Sequence, residues 1–322
     1  MSFAPAASAA PLLLVKSGGE EAMPEWRRWF GEFAPGLDVR WWDDPAVDRA
    51  QVRYAFVWQP DHGRLAALPN LRLVCSDGAG VGHITCDPTL PPGLALVRLV
   101  TEDAAQLMAE YVCMASLALL RELPRSLANQ RAGAWVEFAS KRTARQACVG
   151  LMGLGRLSSA CVPALAAIGF TLAGWSATRK ALPGVECYAG DAERRSFLAR
   201  TDILVNLLPE TPATMGILCA ETLAQLPRGA GLVNAGRGSH LRLVDLVAAL
   251  DCGQLSGAVL DVFDPEPLAP GDPIWSHPQI IVTAHGAAYG PRRGRARYVA
   301  DIIECDRRGA ALPNLYNPQR GY

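Results

Sequence analysis

Three separated residues in the second half of this 322-residue chain are equipped for one reaction between them. Arg237 lies in Asn-Ala-Gly-Arg-Gly, Glu266 in Asp-Val-Phe-Asp-Pro-Glu-Pro-Leu, and His285 in Thr-Ala-His-Gly. Reducing a 2-keto acid needs a cation to hold the carboxylate, an acid to protonate the carbonyl oxygen as hydride arrives, and a carboxylate to keep that acid charged. Arginine, histidine and glutamate suit those roles in that order. Taken singly, each has a bland reading: a surface arginine, a glutamate in a turn before proline, a structural histidine. Each, however, follows an apolar run that has the character of a buried strand, at 230–233, 257–260 and 280–283. Strand ends are where open parallel sheets bind ligands.

A place for the hydride donor precedes them. In Val149-Gly-Leu-Met-Gly153-Leu-Gly155-Arg-Leu-Ser158, Gly153 and Gly155 stand between a strand and a helix. Glycines there let the backbone approach a pyrophosphate, which the turn amides and the helix N-terminus then bind. Ser158 occupies the third glycine position, which asks for a small residue. The next strand ends at Trp175-Ser176 without an acid for the ribose hydroxyls, and Thr178, Arg179 and Lys180 follow. A hydroxyl and two cations suit a 2′-phosphate, so NADP(H) is expected over NAD(H). The bland alternative is a solvated basic turn.

The elements that must position these groups form two α/β series. Short β-like runs at 12–15, 39–42, 55–58, 71–75 and 95–100 alternate with helical or turn-rich connectors. Leu107, Met108, Tyr111, Val112, Ala115, Leu119 and Leu120 then recur at helical spacing, with residues 101–103 as a start signal, and predict a connector helix. A second series starts at 147 and continues through strands at 203–207, 232–234, 258–262 and 280–283. Gly290-Pro291 opens a last helix, with Gly as N-cap and Pro at the first helical position, which returns to the first domain. The expected architecture is α/β, two Rossmann-like or flavodoxin-like domains with parallel sheets and the active site in the cleft between them. Its boundaries are 1–103 for the first part of the substrate-binding domain, 104–287 for the dinucleotide-binding domain and 288–322 for the return.

Composition agrees with an enzyme acting on a small molecule. Half the residues are hydrophobic (50%), 19% are charged, and 31 basic side chains balance 31 acidic ones. No global field draws the chain to nucleic acid or an anionic membrane. The run Arg292, Arg293, Arg295 and Arg297 is read as a solvated helix face, since no aromatic residues interleave it. Nine cysteines lie scattered without a C-x-x-C pair, which fits a reducing cytoplasm; no metal site is expected. The apolar stretch 4–15 lacks a basic leader, and its end reads better as a first strand than as a signal peptide. The longest apolar helix, 104–120, is interrupted by Glu110, and no segment is expected to span a membrane.

These residues resemble the D-isomer-specific 2-hydroxyacid dehydrogenases and, within them, most closely the glyoxylate/hydroxypyruvate reductases. The resemblance runs from Cys75-Ser-Asp-Gly-Ala-Gly-Val81 through the connector helix, the glycine turn, the segment 175–184, Asn206-Leu-Leu-Pro-Glu-Thr-Pro212 and the three catalytic segments to Arg320-Gly-Tyr322. It implies that Arg237 clamps the substrate carboxylate and carbonyl, that His285 is the acid/base, and that Glu266 orients it and favours its charged form. It further implies a substrate loop at Gly78, Ala79, Gly80 and Val81 whose amides bind the carboxylate, with Trp58 walling the pocket. The expected cofactor residues are Gly153, Gly155, Arg156, Leu157, Ser176, Thr178, Arg179, Lys180, Leu208, Pro209 and Asp261.

Relative to the family, Ser158 replaces the third turn glycine, Gly82 an aspartate, Ala284 a proline and Ala177 an arginine; Tyr289 and Gly290 also differ from the usual residues. None of these removes a catalytic group, and Gly82 is expected to cap the following helix. Residues 132–138 would form a dimer arm in which Trp135 reaches the partner's site, the alternative being a core anchor. The expected function is NADPH-dependent reduction of glyoxylate or hydroxypyruvate by a cytoplasmic homodimer. The alternatives are a dehydrogenase of another D-2-hydroxy acid, or a nucleotide-sensing scaffold resembling the C-terminal-binding-protein corepressors.

Overall fold

The computed structural model describes residues 10–319. The beginning of the apolar stretch 4–15, up to residue 9, and the Arg320-Gly-Tyr322 match lie outside the described residues. Two compact units divide the chain, Met1–Thr101 with Gly290–Tyr322, and Glu102–Tyr289.

The first unit holds a five-stranded parallel sheet of β1 (Leu12–Lys16), β2 (Asp38–Trp41), β3 (Val52–Val57), β4 (Leu73–Ser76) and β5 (Ala95–Val97) in the order β2-β1-β3-β4-β5. β1 and β4 are buried almost throughout, as expected for parallel strands covered on both faces. The last helix runs Arg292–Arg307 and packs on the helix Met23–Phe33, joining Ala296, Val299, Ala300, Ile302 and Ile303 to the core around Trp26 and Phe30. Its N-cap is Pro291, one residue later than the glycine cap expected, because Pro291 keeps an extended ψ of 144°. The arginine run is not wholly a solvated face. Arg295 is 3% exposed and grips both carboxylate oxygens of Asp77, at 2.6 and 2.8 Å, while Arg292 and Arg293 pair with Glu25 and Glu32. A guanidinium can be buried here because Asp77, itself hydrogen-bonded by Ser17, supplies the opposite charge.

The second unit is built on β6 (Cys148–Met152), β7 (Thr171–Ser176), β8 (Glu186–Ala189), β9 (Ile203–Asn206), β10 (Ala230–Asn234), β11 (Leu255–Leu260) and β12 (Ile280–Val282), all parallel, in the order β12-β11-β10-β9-β6-β7-β8. The chain leaves the central strand β6 toward β7 on one side and returns to β9 on the other. The junction of β6 and β9 is thus the topological switch point where such sheets bind nucleotides. β8 was not anticipated, since its residues Glu186, Cys187 and Tyr188 lack the apolar run of a buried strand.

The helix Glu102–Leu120, the expected connector, lies wholly in this second unit. Met108, Val112, Ala115 and Leu119 face β10, β11 and the helix Arg156–Ile168. Gly231 of β10 accommodates it: a Cβ there would stand 2.9 Å from Leu119 Cδ1. By length and composition this helix is apolar enough to cross a membrane, contrary to expectation, but 56% of its window is buried inside the protein. Trp135 is 92% exposed, so it is no core anchor within the chain.

Candidate active site

The three candidate side chains, Arg237, Glu266 and His285, stand on loops leaving three adjacent strands. β10 ends at Asn234 and turns to Arg237, β11 ends at Leu260 ahead of Asp261 and Glu266, and β12 ends at Val282 ahead of Thr283 and His285. Parallel neighbours in register release their chains side by side at the same sheet edge. His285 Nδ1 lies 2.8 Å from Glu266 Oε2, and Glu266 Oε1 accepts the Phe263 N–H at 2.8 Å. His285 has φ 49°, a left-handed backbone that non-glycine residues seldom adopt.

Asp261 holds that conformation. Its carbonyl accepts the His285 N–H at 2.8 Å, and its carboxylate accepts the Thr283 hydroxyl at 2.5 Å and the Gly286 and Ala287 N–H groups at 2.9 and 3.0 Å. Thr283 Oγ1 is also 2.9 Å from the Tyr111 hydroxyl on the long helix. The buried Asp261 carboxylate thus braces the histidine loop. Neither Thr283 nor Tyr111 was singled out for this role by sequence.

Partial burial works against the charge of Glu266, but the hydrogen bonds from His285 and Phe263 and the charges of His285 and Arg237 outweigh it and hold its carboxyl below the ordinary range. Glu266 is therefore ionised at neutral pH and favours a charged partner at Nδ1 of His285. Arg237 is half-buried, and its Nη1 donates to the Gly236 carbonyl at 2.6 Å. Desolvation pulls its pKa down, with Glu210 and Glu266 opposing; an arginine stays charged under such a pull.

The glycine turn fits a dinucleotide. Gly153 has φ 99°, and a Cβ there would stand 2.9 Å from the Leu207 carbonyl oxygen, so no side chain fits between the ends of β6 and β9. Gly155 is the N-cap of the helix Arg156–Ile168 and makes no side-chain cap; a Cβ built on it would meet nothing within 4 Å. Gly155 and Arg156 are exposed, leaving the first-turn amides accessible to an anion. Ser158 is 1% exposed and its hydroxyl donates to the Gly153 carbonyl, so the replacement of the third glycine strengthens the turn.

β7 ends at Ser176, whose hydroxyl donates to the Thr178 carbonyl at 2.8 Å. Residues 177–180 are exposed. Arg179 is not idle there: it donates to the Cys187 carbonyl at 3.0 Å and pairs with Glu193. Leu208 and Pro209 follow β9, with the Leu208 N–H donating to Asn206 Oδ1 at 3.2 Å.

In the first unit, Gly78, Ala79 and Gly80 follow β4, and the Trp58 ring packs on Gly78: a Cβ there would stand 3.0 Å from Trp58 Cζ3. Ser76 Oγ donates to the Gly80 carbonyl at 2.9 Å and faces His83 Nε2 at 3.1 Å, while Trp58 stacks on the His83 ring with centroids 4.2 Å apart. The short helix is Gly82–Thr85 with Val81 at its N-cap, so Gly82 is its first residue and not its cap.

A doubly wound parallel sheet with a glycine turn at its switch point, and an acid/base pair on neighbouring strand ends, defines a dinucleotide-dependent oxidoreductase unit. The chain belongs to the D-isomer specific 2-hydroxyacid dehydrogenase family, whose NAD binding domain matches residues 113–287. Glyoxylate/hydroxypyruvate reductase A of Salmonella heidelberg (strain SL476) is 36% identical over 309 residues, covering 90% of this chain and 98% of the relative. A D-isomer specific 2-hydroxyacid dehydrogenase from Xanthobacter autotrophicus Py2, solved with NADPH and MES, superposes with a TM-score of 0.90 at 38% identity, covering 98% of this chain and 100% of that one. The NADPH-dependent glyoxylate/hydroxypyruvate reductase of Sinorhizobium meliloti, solved with NADP and sulfate, gives a TM-score of 0.88 at 35% identity over 97% of this chain and 99% of that one.

Proposed function

We propose that this protein reduces a small 2-keto acid, glyoxylate or hydroxypyruvate, to the 2-hydroxy acid with NADPH, and uses NADH less well. The observation that carries the reading is the 2.8 Å contact of His285 Nδ1 with the depressed carboxyl of Glu266, beside Arg237. A reduced nicotinamide bound at the Gly153 turn supplies the hydride. Arg237 holds the substrate carboxylate and carbonyl oxygen. His285 gives the proton on Nε2 to the forming alkoxide, since Nδ1 is held by Glu266.

Arg156, Leu157, Leu208 and Pro209 are assigned to the dinucleotide, and Thr178, Arg179 and Lys180 to its 2′-phosphate. A phosphate dianion is a stronger partner for Arg179 than the single carboxylate of Glu193. Trp58, Gly78, Ala79 and Gly80 are assigned to the substrate; the packing of the Trp58 ring on Gly78 supports that grouping. A cytoplasmic homodimer is proposed as well, supported by Trp135, an indole 92% exposed in the single chain.

The test is loss of reduced-nicotinamide absorbance with NADPH or NADH against glyoxylate, hydroxypyruvate, pyruvate and larger 2-keto acids, with His285→Ala as control. Turnover with NADPH that disappears in the variant is the expected result. Absence of turnover with every keto acid, in folded protein that binds NADPH, sinks the reading and favours the nucleotide-sensing scaffold.

A further inference from the structure

We propose that His240 is a positioning residue for Arg237, a buried imidazole that locks the loop carrying the carboxylate clamp to the loop that follows β9. The proposal rests on the reading of Arg237 as that clamp. His240, Asn206 and Asn234 are each 0% exposed. Asn206 closes β9, Asn234 closes the adjacent β10, and His240 ends the turn after Arg237.

Every amide orientation in this cluster is set by a backbone partner. The Leu208 N–H at 3.2 Å identifies Asn206 Oδ1, so Asn206 Nδ2 is the atom 2.9 Å from Asn234 Oδ1 and 2.9 Å from His240 Nδ1. An amide nitrogen has two hydrogens, and both are then used. His240 Nδ1 must accept, which puts its proton on Nε2, buried beside the Pro209 carbonyl without reaching hydrogen-bond geometry. Burial, and then the charge of Arg237, push its pKa down to about 4, so the imidazole remains neutral.

The network ends on Arg237 itself. The Arg237 carbonyl accepts Asn234 Nδ2 at 3.1 Å and the His240 N–H at 3.3 Å, and Asn234 Oδ1 accepts the Gly236 N–H at 3.3 Å. Gly236 lies flat on the cluster: a Cβ there would stand 2.8 Å from Asn206 Nδ2 and 3.1 Å from His240 Nδ1. Ser239 adds a second tie, its hydroxyl donating to Glu210 at 2.8 Å. Removing the Nδ1 acceptor strands a buried N–H of Asn206, and the loop must shift to satisfy it. That shift moves the base of the Arg237 side chain, while Asn206 keeps its bonds to the Leu208 N–H and to Asn234 Oδ1.

The test is steady-state kinetics with NADPH and glyoxylate or hydroxypyruvate for the parent protein, Arg237→Ala, His240→Asn, His240→Gln and His240→Leu, with NADPH titration and thermal melting of each. Asparagine places its Oδ1 where Nδ1 stands, whereas glutamine reaches the Nε2 position. Expected are a roughly tenfold rise in keto-acid KM for His240→Gln and His240→Leu, an NADPH Kd within about twofold, and near-parent KM for His240→Asn. An unchanged KM in His240→Gln, or a rise of equal size in His240→Asn and His240→Gln, overturns the proposal. If His240→Leu does not fold, the asparagine and glutamine pair still decides. An unchanged KM in Arg237→Ala removes the clamp reading instead, while a raised KM there with a parent-like His240→Gln removes only the role of His240.

Discussion

Gly238 rests against the Phe263 peptide so closely that a Cβ on it would stand 1.9 Å from the Phe263 carbonyl carbon and 2.0 Å from its oxygen. Backbone cannot yield as a flexible side chain does. The loop after β10 and the loop after β11 therefore meet through a hydrogen atom, and the meeting sets how near Arg237 comes to Glu266. Gly238→Ala must push the loops apart. A displacement of about 1 Å at reacting groups is worth about 100-fold in rate, so keto-acid kcat/KM should drop by that order while NADPH titration stays close to the parent.

Glu266→Gln keeps the shape of the contact with His285 Nδ1 and removes its charge. Reductive kcat/KM should fall by about 100-fold or more, because neutral glutamine no longer places a negative charge 2.8 Å from His285 Nδ1. Steady-state kinetics of the variant with NADPH and the keto acid read this out; a parent-like kcat/KM would remove Glu266 from the proposed proton transfer.

The same carboxyl contributes to stability with a definite sign. Glu266 is held below its ordinary value in the folded protein. Its stabilisation is complete above the unfolded carboxylate pKa of about 4.3 and is lost as pH falls through the lower folded value.

His240 behaves oppositely to a histidine that gains an acidic partner. Its folded pKa of about 4 lies below the unfolded value of about 6.5, so between those pH values the unfolded chain binds the extra proton. Stability should thus fall as pH drops through that window, despite the partial opposition of Glu210 to the effects of burial and Arg237. In His240→Asn this contribution disappears, and urea midpoints measured between about pH 4 and about pH 7 should lose part of their slope.

Cofactor choice is checked at the turn after β7. Lys180→Ala and Arg179→Ala should each raise the KM for NADPH by roughly tenfold, the scale of one lost hydrogen bond to a charged group, and leave the KM for NADH nearly unchanged. Glu193→Gln, which frees Arg179 from its ion pair, should lower the KM for NADPH. Equal effects on both nucleotides would place the turn away from the 2′-phosphate.

Much of the fold was legible because parallel strands buried on both faces leave continuous apolar runs, as in β1, β6, β9 and β10. β8 escaped because an edge strand needs no such run, and the buried stripe of the helix Glu102–Leu120 did not say which strands and helix it would cover. At the site, Arg237, Glu266 and His285 were legible from their side-chain chemistry and their place after strands. Asn206, Asn234 and His240 left only a faint signal, namely polar residues closing apolar strands, and His240 was passed over entirely.

By itself, then, the sequence determined the two α/β series, the glycine turn and which residue types were available as candidate acid, carboxylate partner and cation, since these depend on local pattern and side-chain type. Only tertiary structure decided which strand ends are neighbours: β6 lies beside β9 and not only β7, and Asp261 reaches residues 283, 286 and 287. The physical reason is that hydrogen bonds between distant segments form only after the sheet has been wound. The close approaches at Gly153 and Gly238 likewise arise from backbone brought together across the sheet, which no local pattern records.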